Sequence, residues 1–545
     1  MRPLRRLLTT LHTGLALARS GVLRIERPDH TIRALLLLKR WGPTPASGYA
    51  ISAMRDPQRA AIHDDRGTIS FRELHEQTNA LAHSLRAAGV GEGDGIAILC
   101  RDHADFVKST VAASKLGATV LLLNTSFAGP QIAEVCEREE PRVFIYDEEF
   151  TELCAAASQG RTAVIAWHDN PPPAGFTTID ALIEAGGRED LAPAADRGRV
   201  VILTSGTTGA PKGASRHQPR SLDPAASFFS RIPLRARGTT VISSPLFHSW
   251  GYGNFTLALA LSSTLVLHRR FEPEQVLASI ERHRANALVL VPVMLQRILE
   301  LGPETIRHYD TRSLRIIAVS GSALPGELAL RAMDTFGDVL YNLYGSTEVA
   351  WATIASPRQL RAAPGTAGTP PYGTRLRLFD EHGRELRRRG EPGRIFVHNE
   401  MVMDGYTTGD GKAVLEGLIA TGDVGYVDRQ GRLFVSGRDD EMIISGGENV
   451  FPREVEDLLA NHPAIEDVAV IGVADKEFGE RLRAFIVPEP GTEIDAEAVK
   501  AHVRDNLARF KVPRDVVFVE ELPRTATGKV LKRLLDRGEA PSVQN

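Results

Sequence analysis

The stretch Leu203–Gly213, LTSGTTGAPKG, gathers the residue types that hold phosphate. It follows an apolar, strand-like run, Val200–Leu203. Gly206, Gly209 and Gly213 let the backbone turn with positive φ and approach a ligand closely. Successive N–H groups in such a turn form a concavity suited to phosphate oxygens. Thr204, Ser205, Thr207 and Thr208 add hydroxyl donors, and Lys212 adds a positive charge. The loop is not the G-x-x-x-x-G-K-[ST] pattern. Pro211 stands where its second glycine belongs, and Gly213 replaces the hydroxyl residue after the lysine. A Gly/Thr-rich surface turn would have a similar composition. The ordered set behind a buried strand favours phosphate binding instead.

Such a loop needs a rigid edge to carry it. From Gly95 to Leu343 short apolar runs alternate with helical patterns, as in an open α/β sheet. Four runs end in polar clusters: Val241-Ile242 before Pro245–Gly251, Leu288–Val291 before a helix, Leu314–Val319 before Ser320–Pro325, and Val339–Leu343 before Tyr344–Glu348. Open α/β sheets bind ligands at the carboxyl ends of their strands. The rhythm over 196–375 reads as strand–loop–helix, and Pro171–Asp196 as a surface connection. Residues 376–437 change to short strands between Gly- and Asp-rich turns, a small β subdomain. After Gly437 the pattern is α+β. The expected fold is therefore α/β: a large N-terminal domain of stacked mixed sheets over 46–437, with the β subdomain, and a mobile α+β domain over 438–545. The latter would close on the former as a lid over AMP.

The loop at 203–213 resembles the phosphate loop of the adenylate-forming (ANL) superfamily, which includes acyl-CoA synthetases, luciferases and the adenylation domains of peptide synthetases. The chain looks most like an acyl-CoA synthetase of the fatty-acid type, from about Tyr49 to about Leu535. The resemblance implies that a carboxylic or fatty acid and ATP give acyl-AMP and pyrophosphate, and that coenzyme A then gives acyl-CoA and AMP, with Mg²⁺ as the metal. Tyr344-Gly345-Ser346-Thr347-Glu348 is similar to the second signature. It implies Tyr344 on the adenine face, Gly345 in the turn, Thr347 on phosphate, and Glu348 on Mg²⁺ with Thr204 as a second ligand. Ser322 and Ala323 fall in the segment that holds the adenine edge. Thr421-Gly422-Asp423 resembles the ribose turn, with Arg438 near ribose and phosphate and Asp439 as the hinge between domains. Ser445–Pro452, through Gly446 and Gly447, resembles the loop bordering the pantetheine tunnel. Pro523–Lys529 resembles the loop whose lysine, here Lys529, bridges the carboxylate and the α-phosphate. Phe247–Gly251 resembles the family's acyl-site segment, which implies His248 and Trp250 beside the channel, with Gly251 and Gly253 expected to leave room for a chain. Leu203 departs from the aromatic residue common before the threonine, with little expected effect on ATP. Two alternatives stay open: an adenylating ligase with another acceptor, and a non-catalytic acyl- or nucleotide-binding homologue.

With 545 residues the chain exceeds a single core. Apolar content of 43% and charged content of 24% suit a soluble enzyme, and a net charge of −3 gives no argument for nucleic acid. Cys100, Cys136 and Cys154 form no metal spacing or disulfide framework, which favours a reducing compartment. His75-Glu76 begins an H-E-x-x-H pattern, but Asn79 occupies the second histidine position, so a solvated helix face is expected. No G-x-S-x-G elbow supports a hydrolase. The last residues are not a peroxisomal address, and no signal-peptide cleavage site is evident. Residues 1–45 stand apart. Leu4, Leu7, Leu8, Leu11, Leu15, Ala18 and Val22 recur at helical spacing among arginines, followed by Leu35–Leu38 and Trp41. They read either as a helix on an anionic membrane surface, through residues 1–40, or as a helix packed on the enzyme's own body. The expected location is cytoplasmic, with peripheral contact at the inner membrane face in the first case. Oligomeric state is unreadable.

Overall fold

The computed structural model describes residues 2–23, 28–170, 175–204, 211–445, 448–475, 479–525 and 528–536. Two eight-stranded sheets form the large part. In the first, Leu340–Tyr344, Ile316–Val319, Ala287–Leu290 and Thr239–Ile242 lie side by side and all parallel. Their carboxyl ends therefore share one edge, as the alternation of runs predicts. The central Ala287–Leu290 and Ile316–Val319 read as continuous apolar runs because both faces are covered. The second sheet carries Arg199–Thr204 beside Thr119–Leu122.

The strands on either side of 205–210 are a correction to the strand–loop–helix rhythm. Arg199–Thr204 pairs antiparallel with Lys212–His217, with Thr204 opposite Lys212, so the loop closes a hairpin. Gly213 is required there: a Cβ would sit 2.6 Å from Thr407 Oγ1 and 2.7 Å from Val201. Thr407 crosses at this point, its N–H donating to the Gly213 carbonyl at 2.8 Å. The short strand Gly405–Tyr406 thereby joins the second sheet.

The β subdomain forms a six-stranded sheet built on Arg375–Phe379, Gly393–His398, Leu418–Val427 and Leu433–Arg438. The smaller C-terminal domain is a five-stranded sheet with helices Pro452–Leu459 and Ala496–Asn506 against its own core. This is the α/β architecture with a smaller α+β domain that the sequence predicts. The described part of the connection, 175–196, is more regular than expected. Helix Ile179–Ala185 buries Ile179 and Ile183, with Thr178 as its cap.

At the N-terminus, helices α1 (Arg2–Ser20), α2 (Pro28–Trp41) and α3 (Pro45–Arg55) precede the first sheet. Leu17 and Trp41 belong to the main core, so α1 and α2 dock on the large domain rather than standing apart. Thr44 starts α3 with a capping box over Pro45.

The His75 face is another correction. Helix Phe71–Ala87 turns this side toward Lys115, which is fully buried. The Lys115 ammonium donates to Asn79 Oδ1 at 2.5 Å, Thr78 Oγ1 at 2.8 Å and the His75 carbonyl at 3.1 Å. His75 itself meets Asp190 at 2.9 Å. Burial pulls Lys115 down to about 7. The helix face is thus a polar seam between two packed helices, not a solvated surface.

Candidate active site

The shared strand edge, the β subdomain and the last loop of the C-terminal domain enclose one cavity of about 1470 Å³. Its wall includes Lys212, Ser322, Ala323, Tyr344, Gly345, Thr347, Glu348, Asp423, Arg438 and Lys529. Residues up to 317 positions apart in the chain therefore face one space. Thr204 ends its strand at the hairpin. Ser205, Gly206, Thr207, Thr208, Gly446 and Gly447 lie outside the described residues.

The Tyr344–Glu348 turn leaves its parallel strand with Gly345 pressed against the next segment. A Cβ there would lie 2.2 Å from the Ala350 carbonyl oxygen. The Tyr344 hydroxyl donates to Asp423 Oδ2 at 2.5 Å and to Thr421 Oγ1 at 3.2 Å, tying the strand end to the β subdomain. Burial raises Asp423 above the usual carboxylate range. The hydroxyl of Tyr344 and the charges of Arg438, Lys529 and Lys412 pull the other way. Arg438 Nη1 stands 3.7 Å from Asp423, and its Nε donates to Asp440 Oδ1 at 3.0 Å. Asp439 begins the one-turn helix Asp439–Glu441 that follows; it is exposed and outside the cavity wall.

Glu348 is enclosed, which alone would raise its carboxyl. The Tyr406 hydroxyl, donating to Oε1 at 2.6 Å, and the Lys412 charge help bring it below the usual value. It is therefore ionised at neutral pH. The same turn is held from the second sheet by Arg216, whose Nη2 donates to the Thr347 carbonyl at 2.6 Å. Burial pulls Arg216 down to about 10. Lys212 points across to Asp410, its Nζ donating to Oδ2 at 3.0 Å.

Lys529 enters from the C-terminal domain. Gly528 N–H donates to the Thr525 carbonyl and Lys529 N–H to Thr525 Oγ1. Gly528 has φ +77° and rests against Val293. A Cβ would meet Val293 Cγ1 at 2.3 Å. Val293 lies in the first turn of helix Pro292–Glu300, at the edge of the parallel strands.

The remaining wall is largely apolar. Helix Ser249–Ala260 begins at His248 and lines it with Trp250, Tyr252, Gly253, Asn254 and Leu257. Trp250 Nε1 donates to the Leu290 carbonyl at 3.1 Å, fixing the helix to the sheet. His248 is half-buried with its Nε2 enclosed and unpartnered, and desolvation holds it down to about 4. Gly253 has nothing within 4 Å of the Cβ it lacks, so it is open space. Gly251 is not: a Cβ there would meet the Pro245 carbonyl oxygen at 2.2 Å, and it is absent from the cavity wall. Its smallness serves close packing of helix on strand end, which corrects the expectation that it makes room for a chain. The branch runs on to Ile51 of α3 and to Ala34, Leu35 and Leu38 of α2.

Reading by motif passed over Arg216, Tyr406, Asp410 and Lys412. None sits in a patterned stretch, and only the Gly405–Tyr406 strand pairing brings three of them in. Cys100, His103 and Asp147 form the one cluster of three metal-ligand types found among the described residues. There His103 Nε2 meets Asp147 at 2.8 Å, and Nδ1 accepts the Asp105 N–H as a helix cap. Asp147 also accepts the Arg101 N–H. These groups are spent on holding loop and helix together.

The chain matches the AMP-binding enzyme family over residues 50–407 and the AMP-binding enzyme C-terminal domain over 454–529. It is 33% identical to the indoleacetate–CoA ligase of Aromatoleum aromaticum, covering 88% of this chain and 94% of that one. Among solved structures, the o-succinylbenzoate CoA synthetase of Bacillus subtilis, in complex with an acyl-adenylate intermediate, superposes with a TM-score of 0.80. It shares 27% identity and covers 91% of this chain and 99% of its own. The amide bond synthetase of Marinactinospora thermotolerans superposes with a TM-score of 0.81 at 28% identity, covering 91% and 100%. The chain belongs to the AMP-binding enzyme family, the adenylate-forming superfamily, in its acyl-CoA synthetase type, and is an ATP-dependent, AMP-forming acid–thiol ligase.

Proposed function

We propose that the cavity binds MgATP between the hairpin loop and the parallel strand ends, and a large apolar acid along helix Ser249–Ala260. The observation that carries this reading is the continuity of one cavity from Asp423, Glu348 and Lys529 to the apolar branch at Gly253. In the first step a carboxylate oxygen attacks the α-phosphorus, the bond to the β-phosphate breaks, and pyrophosphate leaves. Asp423 accepts from the ribose hydroxyls, and Tyr344 with Ser322 and Ala323 bounds the adenine. Lys212, Thr347 and the hairpin residues Ser205, Gly206, Thr207 and Thr208 hold phosphate. Arg438 faces the ribose and phosphate. Lys529 offsets the charge that builds on the α-phosphate, an interaction most valuable in the transition state. Glu348 is an ionised, oxygen-only donor in the wall. It fits Mg²⁺, with Thr204 as the second ligand, and a bound Mg²⁺ would neutralise phosphate charge.

In the second step the C-terminal domain rotates about Asp439 and removes Lys529. Gly446 and Gly447 come to border the thiol's path. The thiolate of coenzyme A attacks the acyl carbonyl and AMP leaves. One scaffold then serves two geometries, a domain-closure switch.

For the acid, a fatty chain is favoured by the branch beside a twelve-residue helix, about 18 Å at the usual rise. An aryl acid is the second reading, favoured by the names of relatives such as the indoleacetate–CoA ligase and the feruloyl-CoA synthase of Amycolatopsis sp.. A cytoplasmic enzyme touching the inner membrane face through residues 1–40 completes the proposal. Pyrophosphate release across alkyl and aryl acids, with and without coenzyme A, tests it. Acyl-AMP that accumulates without coenzyme A and becomes thioester with it supports the reading. An amine accepted in place of the thiol would contradict it.

A further inference from the structure

We infer that α1 and α2 seat the enzyme on an anionic phospholipid bilayer and open the apolar branch of the cavity toward it, so that acids enter from lipid rather than through water. This rests on the reading of that branch as the acid site. Six of the nine large apolar side chains exposed among the described residues are Leu11, Leu15, Leu23, Ile32, Leu35 and Leu36. All belong to α1, α2 or the link between them. Leu11 and Leu15 lie one turn apart, and Ile32, Leu35, Leu36 and Lys39 fall on one stripe at i, i+3, i+4 and i+7.

The exposure is not that of loosely attached helices. Leu17 and Trp41 sit in the main core from the opposite faces. The Thr13 hydroxyl donates to Asp223 at 2.7 Å, Arg40 donates to the Leu191 carbonyl at 2.6 Å, and the Ala236 N–H donates to the Ser20 carbonyl at 2.7 Å. The body thus holds the helices with their apolar stripes outward. Leu23 and Leu35, the latter 61% exposed, are also part of the cavity wall, with Val22, Ala34 and Leu38 beside them. Outer stripe and inner branch form one continuous apolar surface.

Charge identifies the occupant. Residues 1–41 carry a net charge of +7 in a chain of −3, so the remainder carries −10. Arg19, Arg33 and Lys39 are exposed around the stripes. A basic amphipathic surface of this kind lies in the headgroup region of an anionic bilayer, its long cations reaching back to the phosphates. A second copy would set +7 against +7.

The test uses the full-length protein with vesicles of phosphatidylcholine alone or with roughly a quarter phosphatidylglycerol, at low and high salt. The anionic vesicles should carry the protein down on sedimentation at least about tenfold better, and salt should release it. The double variants Ile32→Asp/Leu36→Asp and Leu11→Asp/Leu15→Asp avoid the cavity wall. They should lose that binding, keep wild-type turnover of a short water-soluble acid, and slow on a long acid loaded into the vesicles. Indifference to vesicle charge, or unchanged binding in both variants, would overturn the docking. So would a concentration-dependent dimer that the aspartates dissolve, which would make a second copy the occupant. Equal wild-type and variant rates on the loaded acid would overturn the port. Sedimentation needs no turnover. Failure of the ligase reading would appear separately, as vesicle binding without pyrophosphate release for any acid.

Discussion

His248 and Gly253 line the apolar branch of the cavity. Burial keeps His248 neutral above about pH 4, and its enclosed Nε2 has no hydrogen-bond partner. The pH profile of adenylation should then show no step near the ordinary histidine value of 6.5 that is lost in His248→Ala; a step removed by that substitution would contradict a neutral ring. Gly253 faces open space, so Gly253→Leu adds a side chain where the acid should lie. It should lower kcat/KM for the longest acids by more than about tenfold and spare the shortest, as an obstructed pocket does. An equal loss for all lengths would move the acid elsewhere. Gly251 resembles Gly253 in the sequence yet packs on the Pro245 carbonyl. Two glycines two residues apart point to opposite sides of a helix, and only the sheet behind decides which side is empty. Composition around each residue is nearly the same, so that distinction was out of reach before folding.

Short elements carry the larger consequences. The loop bearing Lys529 docks by Gly528, which combines a left-handed backbone with no room for a Cβ against Val293. Gly528→Ala should slow acyl-AMP formation by about tenfold or more, the cost of roughly 1–2 kcal/mol of backbone strain and contact. Val293→Ala in the same chain should restore space without relieving φ, hence recover only part of the rate. Full activity of the single variant would show that this docking is not the adenylating arrangement. Helices Phe71–Ala87 and Ala104–Leu116 are joined by Lys115. The unfolded chain keeps this proton to about 10.5, while burial releases it near 7 in the folded state. Between those values the unfolded state binds more protons, so stability rises with pH. Urea midpoints should give wild type about 1–2 kcal/mol more gain than Lys115→Met between roughly pH 7 and 8.5, and equal slopes would refute it. Strands and helices were legible because their apolar periods are local. The His75 seam was not, because Lys115 reaches it from 40 positions away and nothing in its own helix marks it as buried.

The whole molecule brings together groups that no single stretch contains. The motifs at 203–213, 344–348, 421–423 and 523–529 could be read in sequence because each is a contiguous run whose residue types and order resemble a family signature. The supports could not: Tyr406, Asp410 and Lys412 reach the site through the pairing of Gly405–Tyr406 with the hairpin strand, and Arg216 through that strand's antiparallel return. Nor did periodicity reveal that the N-terminal helices share the cavity wall. Their apolar positions show an amphipathic helix but not what covers each face. The central claim is that the C-terminal lysine and the strand-end groups act on one ATP. The most direct measurement is carboxylate-dependent pyrophosphate release by wild type and Lys529→Ala, alongside thioester formation from preformed acyl-AMP and coenzyme A. Lys529→Ala should lose about 10²–10³-fold in the first reaction, as expected for a transition-state charge partner, and keep the second near wild type. Unchanged pyrophosphate release in the variant would contradict the claim.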